Sequence, residues 1–396
     1  MATGTDRHQP SLSKYSSGVF FMFKGTYTDL RVLVTGHTGF KGSWLCEWLL
    51  LLGADVAGLS LDPPTKPALF EELGLDRRMR DLRGDVRDLE RLTAVVREFK
   101  PRLVLHLAAQ PIVRHSYRDP AGTFATNVMG TVNLLEAVRL AGQPCAVVVV
   151  TTDKCYENRE WLQGYREDDP MGGYDPYSAS KGCVELVTAS FRRSFFPADL
   201  PIVVASARAG NVLGGGDWAP DRIVPDCVRS LAAGQSIPVR NKHATRPWQH
   251  VLEPLSGYLL LGSRLVGQLG LAADDRRLPQ NAVCAGAFNF GPNLDSNRTV
   301  EELVKEILMH WPGQWDDRSL ATAPHEAAFL NLATDKAHHV LKWRPVWPFG
   351  ETIRRTIEWY RGVLTQPGAS PSGLTRLQIE AYAANARDLN VPWALE

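Results

Sequence analysis

The sequence has no long hydrophobic run. A bilayer span needs about 18 or more apolar residues, and the best candidate, Trp48 to Ala54, stops at Asp55. It also lacks a charge excess: 44 Lys and Arg face 43 Asp and Glu, a net charge of +1. That balance argues against a surface that holds nucleic acid or anionic membrane through bulk electrostatics. Paired cysteines are missing as well. Cys46, Cys145, Cys155, Cys183, Cys227 and Cys284 are scattered without a C-x-x-C, which reads as reduced thiols rather than disulfides or a metal site. The opening stretch Met1 to Gly18 has neither an apolar core nor a cleavage site, so the expected location is the cytoplasm. What is present is ordinary globular material: 396 residues, 44% hydrophobic and 22% charged. At about 150 residues per domain this makes two to three structural units.

From Leu30 to Ala207 short β-branched runs alternate with longer amphipathic segments. Strands are expected at Arg31–Thr35, Asp55–Leu61, Leu82–Asp85, Leu103–His106, Ala146–Val150 and Ile202–Ala205. Helices are expected at Gly39–Leu52, Leu89–Phe99, Pro120–Ala141 and Pro176–Phe195. Continuous apolar strands separated by helices imply a doubly wound parallel α/β sheet covered on both faces. Beyond Arg208 the alternation weakens. Helices near Arg222–Ala233, Leu252–Val266 and Val300–His310, with a surface loop over Gly267–Gly286, suggest a smaller mixed α/β lobe. The expected division is an N-terminal extension over 1–29, a dinucleotide-binding domain over 30–207, a substrate lobe over 208–366 with some exchange of chain, and a tail helix over 367–396.

Gly36-His-Thr38-Gly39-Phe40-Lys41-Gly42 follows the first strand and opens the first helix. Glycines there allow a tight turn and close approach of a pyrophosphate to free helix N–H groups, the Rossmann arrangement. Asp62 lies where the second strand should end, and no Arg occurs between Ala54 and Thr65. That pattern favours NAD over NADP, although Asp62 before Pro63-Pro64 also reads as a turn residue.

The strongest chemical signal is Tyr177-Ser-Ala-Ser-Lys181. At i and i+4 a phenol and an ammonium share one helix face, and the ammonium is expected to draw the tyrosine towards neutrality as a usable base. Thr151-Thr152-Asp153-Lys154 closes the fifth strand, where doubly wound sheets hold their ligands. Taken singly, these residues have plainer readings. Lys154 also reads as a solvated lysine, Asp153 as a turn cap, Tyr177 as core, and Arg208 and Arg246 as surface ion-pair partners. His250 and His325 read as structural.

With the glycine fingerprint, Thr152 and Tyr177/Lys181, the chain resembles the extended short-chain dehydrogenase/reductase superfamily. More narrowly it resembles the CDP-glucose 4,6-dehydratase family from about Phe23 to Tyr360. The segments that carry this are Thr35–Trp44, Ala108-Ala109-Gln110-Pro111, Thr126–Thr131 with Asn127, Asp153–Tyr156, Arg208–Val212 with Asn211, Gly214–Trp218 and Arg246–Val251. Most sugar-nucleotide dehydratases have Asp-Glu after the strand-end threonine, whereas this chain has Asp153-Lys154. Ala333 stands where the family usually has Asp, and Lys342 where it has Gly.

The resemblance implies NAD as cofactor, CDP-D-glucose as substrate and no metal. It also implies a homodimer or dimer of dimers and a sequence of C4 oxidation, C5/C6 water elimination and reduction at C6. Tyr177 would take the C4-hydroxyl proton, Lys181 would hold the nicotinamide ribose, and Thr152 would orient O4. Asp153 would protonate the leaving C6 hydroxyl, and Lys154, lowered in pKa by burial and by Lys181, would take the C5 proton. Gly36, Thr38, Gly39, Phe40, Lys41, Gly42, Asp62, Asp85, Val86, Ala108, Ala109, Gln110 and Asn127 would hold the cofactor, Asp85 reaching the adenine. Arg208, Asn211, Arg240 and Arg246 would bind the substrate. The alternatives are another nucleotide-hexose 4,6-dehydratase, a sugar-nucleotide 4-epimerase, which shares the first oxidation, or a non-catalytic NAD-dependent scaffold.

Overall fold

The computed structural model describes residues 22–319 and 330–395. The stretch Met1–Gly18 and His325 lie outside the described residues. Six strands follow the expected order: β1 (Arg31–Thr35), β2 (Asp55–Ser60), β3 (Arg80–Arg83), β4 (Leu103–His106), β5 (Cys145–Val150) and β6 (Ile202–Ala209). A seventh, Ala287–Phe290, pairs in parallel with β6. It had no sequence signal of its own, because four residues after a glycine-rich stretch do not show a period. The sheet runs 287–290, β6, β5, β4, β1, β2, β3 and every pairing is parallel.

Alternate residues feed two cores. Val32 and Val34 of β1 face one layer and Leu33 the other, as Val148 and Val147 do in β5. Helices start where side chains satisfy free N–H groups: Asp88 caps Leu89–Phe99, and Asp175 caps Pro176–Ser194. The chain order reverses between β1 and β4, so a crevice opens above their carboxyl ends. Thr35 and His106 sit there, hydrogen-bonded at 2.7 Å.

Two expectations are corrected, and the place of Lys342 is fixed. The helix over Pro120–Ala141 is broken into Pro120–Phe124 and Gly130–Ala141 by a π-helical turn, Ala125–Met129, a local widening common at functional sites. The stretch Gly267–Gly286 is not a plain loop, since it holds short helices Ala273–Arg277 and Pro279–Ala282. Lys342, in place of glycine, takes the left-handed conformation at φ 59° that glycine adopts without cost.

The later chain returns to the sheet. Helix Leu252–Gln268 is buried along almost its whole length and packs against β4, β5 and β6. Small strand pairs, 212–213 with 249–250, 245–247 with 297–299 and 237–239 with 315–317, frame the rest. Helix Pro371–Asp388 lies on helix Phe40–Leu51, and Phe23 stacks on Trp393 at 5.0 Å. Both ends of the described chain thus cover the outer face of the first helix. Glu47 of that helix, fully buried, accepts from Arg78 (2.5 Å) and Arg376 (2.7 Å).

Glu253 ties the buried helix to this cover. Its carboxylate accepts from the N–H of Val346 (3.0 Å) and Trp347 (2.7 Å) and from the Tyr382 hydroxyl (2.7 Å). Burial pushes its pKa up to about 7, against the pull of those hydrogen bonds. The native state therefore holds this proton more tightly than the unfolded chain, and the stabilisation falls as pH rises from about 4.5 to about 7. The size is on the order of 3 kcal/mol. Glu253→Gln should flatten that part of the profile. In urea denaturation the wild-type midpoint should fall relative to the variant between pH 5 and pH 8; parallel profiles would contradict the assignment.

Candidate active site

The turn after β1 is built so tightly that only glycine fits. A Cβ on Gly36, which sits at φ +75°, would stand 2.7 Å from the Ala108 nitrogen, and one on Gly42 would stand 2.2 Å from the Gly36 carbonyl. Gly39, by contrast, faces open space apart from the Gly36 carbonyl at 3.5 Å. It precedes helix Phe40–Leu51, and no side chain caps that N-terminus. Thr38 anchors the turn to the end of β2 through Ser60 (2.8 Å) and the Leu61 carbonyl (3.1 Å). Phe40 packs against the core opposite Gly214. Lys41 is drawn down to about 8 by burial and by the charges of Arg222 and Lys181. Open N–H groups with cations nearby fit a dinucleotide pyrophosphate.

Across the crevice Ala108, Ala109 and Gln110 follow β4. The Ala108 N–H donates to Thr35 (3.2 Å). Asn127, projected inward by the π-helical turn, accepts from the Gln110 N–H (2.8 Å) and donates to Ser180 (2.9 Å). Its role is thus to hold the β4 loop to the helix that carries Tyr177. Val86 packs beneath Gly130, where a Cβ would stand 2.6 Å away.

The end of β5 and helix Pro176–Ser194 bring five residues together. The Thr152 hydroxyl donates to Asp153 (2.8 Å) and is within hydrogen-bonding reach of the Tyr177 phenol. Asp153 is buried, and burial raises its pKa against the pull of Lys154, Thr152 and Arg246. Lys181 donates to the Val150 carbonyl (3.2 Å), and burial lowers it to about 8. Tyr177 is pushed up to about 12 by burial. Burial thus dominates, and the charge that draws the phenol down is that of Arg222 rather than the expected Lys181. Lys154 is only half-buried, not enclosed.

The family described as GDP-mannose 4,6 dehydratase matches this chain over residues 33–356. The chain belongs to it. It is 49% identical over 346 residues to CDP-glucose 4,6-dehydratase of Salmonella typhimurium, covering 85% of this chain and 92% of that one. Among solved structures it resembles DesIV, a dTDP-glucose 4,6-dehydratase from Streptomyces venezuelae with NAD bound. The TM-score is 0.67 at 27% identity, covering 84% of this chain and 97% of that one. It also resembles UDP-glucose 4-epimerase of Thermus thermophilus in complex with NAD, with TM-score 0.68 at 26% identity, covering 84% and 99%.

Several of the expected ligands stand outside this buried group. Asp62 is 92% exposed and 3.9 Å from Arg83. Asp85, expected at the adenine, is engaged by the Arg87 guanidinium at 2.5 Å, which lowers its pKa. Arg240 is exposed and pairs with Asp221 (3.1 Å), as Arg114 does (3.0 Å). Asn211 is half-buried. Arg246 donates to the Thr245 carbonyl and acts on Asp153 through its charge. Gly210, Pro247 and Leu294 border a small hollow of about 10 Å³, and a Cβ on Gly210 would meet the Asp153 carboxylate at 2.8 Å. His250 is wedged between Trp44 and Trp347, a structural place as expected.

Three residues near the chemistry carried no sequence signal. Tyr258, on a helix that reads as plain core, lies under the Lys41 amine at 5.7 Å from its ring centre. Arg222 pairs with Asp217 (2.7 Å) and its charge acts on Tyr177. Glu185, one helical turn past Lys181, accepts from Thr151, from Ser206 (2.6 Å) and from Arg208 (2.8 Å).

That last contact corrects Arg208. Its guanidinium is buried and committed to Glu185, the Tyr156 hydroxyl (2.6 Å) and the Glu167 carbonyl (2.9 Å), so no free fork remains for a pyrophosphate. Arg208→Met should leave a buried carboxylate uncompensated and cost about 3–5 kcal/mol, read by chemical denaturation. A pyrophosphate ligand would instead raise KM and leave stability unchanged.

Proposed function

We propose that this chain is an NAD-dependent CDP-glucose 4,6-dehydratase. It converts CDP-D-glucose to CDP-4-dehydro-6-deoxy-D-glucose and water. The observation that carries this reading is Asp153-Lys154 directly after Thr152, beside Tyr177. A 4-epimerase shares the fold, the tyrosine and the oxidation at C4, but it has no use for an acid and a base of elimination. Likeness to the Salmonella enzyme supports cytidine among the nucleotides.

The turn Gly36–Gly42 holds the cofactor pyrophosphate, and Lys181 and Tyr177 hold the nicotinamide ribose. NAD supplies, when bound, the oxidising equivalent that makes C4 a ketone and the reducing equivalent that later saturates C6. The Tyr177 oxygen takes the C4-hydroxyl proton, with Thr152 orienting O4. Once C4 is a ketone, the C5 proton is acidic, and the Lys154 amine removes it and returns a proton to C5 when C6 is reduced. Asp153, holding its proton to higher pH than an exposed carboxyl, delivers it to the departing C6 oxygen. Arg246, with Asn211 and Arg240, receives the anionic part of the substrate.

The reaction belongs in the cytoplasm, a reading that six unpaired cysteines support. No helix among the described residues is long and apolar enough to cross a membrane. A second copy of the chain covers Met129, Leu186 and Phe195, large apolar side chains exposed on the two neighbouring helical segments. Leu186→Glu should sediment as a monomer if this is so, and as the wild-type species if not.

Mass spectrometry after incubation with CDP-, dTDP- and GDP-hexoses tests the main reading. Loss of one water from CDP-glucose is expected; a product of unchanged mass would favour the epimerase. Lys154→Met should lower product formation by about 100-fold or more and abolish solvent deuterium at C5, with substrate binding retained. Normal turnover with full exchange would place the base elsewhere.

A further inference from the structure

No arginine follows the second strand in sequence, yet the fold puts one there. β2 and β3 run side by side with Ser60 opposite Arg83. The Arg83 guanidinium donates to the Leu61 carbonyl (2.9 Å) and stands 3.9 Å from Asp62. Thr38 of the glycine turn bonds to Ser60 and to that same Leu61 carbonyl. Arg83 therefore borders the part of the crevice where a dinucleotide presents its adenosine ribose. Unopposed, its planar fork suits a ribose 2′-phosphate.

It is not unopposed. Asp81, only 16% exposed, accepts from Arg83 Nη2 at 2.8 Å and from His37 Nε2 at 2.8 Å. The guanidinium also lies over the Phe70 ring at 5.2 Å, and that ring packs edge-on against His37. His37 is buried, and burial lowers its pKa, so the ring donates to Asp81 as a neutral group near pH 7. Asp62 and Asp81 then outweigh Arg83 by one negative charge. A 2′-hydroxyl meets this without penalty, whereas a 2′-phosphate meets a net negative rim and an arginine already engaged.

We propose that Asp81 sets the preference for NAD over NADP, by holding Arg83 in an ion pair beside the ribose. The inference rests on the proposed cofactor reading of the glycine turn. Asp81 is a positioning residue: it acts through Arg83. An asparagine in its place keeps a hydrogen bond to His37 and releases the arginine's charge.

Calorimetric titration of the purified chain with NAD and with NADP tests this, with no turnover required. Asp81→Asn should raise the affinity for NADP relative to NAD about ten-fold or more. Asp81→Glu should keep the wild-type ratio, and Asp81→Asn combined with Arg83→Met should lose the gain. Arg83→Met alone, at a partly exposed side chain, leaves both carboxylates unopposed and should lower the ratio about three-fold or more. That variant decides the matter should Asp81→Asn not fold. A chain that binds NAD, with a ratio that no folded variant moves, overturns this inference alone. A wild-type chain that binds neither dinucleotide removes the cofactor reading and this inference with it.

Discussion

The active site hangs on one buried carboxylate. Glu185 sits on the helix that carries Tyr177 and Lys181. Its two oxygens accept from Thr151 at the end of β5 and from Ser206 and Arg208 on β6. Three elements that must meet to about hydrogen-bond precision are thereby fixed to a single group. The Arg208 guanidinium balances its charge and carries the connection on to Tyr156 and the Glu167 carbonyl, and Tyr156 stacks on Tyr165 at 5.2 Å. A buried ion pair is costly to desolvate and adds little net stability. Its value here is positional, since Thr152 follows Thr151 and Lys181 precedes Glu185 by one turn.

What the sequence made legible follows from period and spacing. Strands such as Cys145–Val150, apolar on both faces, cannot be anything but the centre of a covered sheet. Glycines at 36 and 42 are forced by backbone approach, and that kind of constraint is visible in one dimension. Tyr177 and Lys181 share a face because helices repeat every 3.6 residues. Contacts between distant segments were not legible. Arg208 lies in a motif that resembles a ligand site, yet its partner Glu185 comes from another element and absorbs its charge. Asp62 read either as a ribose ligand or as a turn residue at the end of β2, and the neighbouring strand brings Arg83 and Asp81 to that position. The π-helical turn was equally hidden. It adds no residue type of its own to a helical pattern, but it turns Asn127 inward to hold the β4 loop.

The site's electrostatics have one dominant cause. Burial raises Asp153 and Tyr177 and lowers Lys41 and Lys181, so each group is moved towards its neutral form. For proton transfer this is economical: a carboxyl that keeps its proton can donate it, and a phenol must give up its own before it can act as a base. Tyr177 at about 12 is therefore poorly poised as a base where desolvation dominates. Charge brought in with ligands must change the balance. An anionic group near Lys41 would favour its cationic form, and the charge of Arg222 pulls the phenol downward against burial. Chemistry is then coupled to charge, because the same desolvation that favours the neutral forms amplifies every charge that enters the site. Lys154 stands apart from this. It is half-buried and directly follows the buried Asp153, so on the proposed reading the base of elimination would stand on the wetter side of the site and the acid on the drier one.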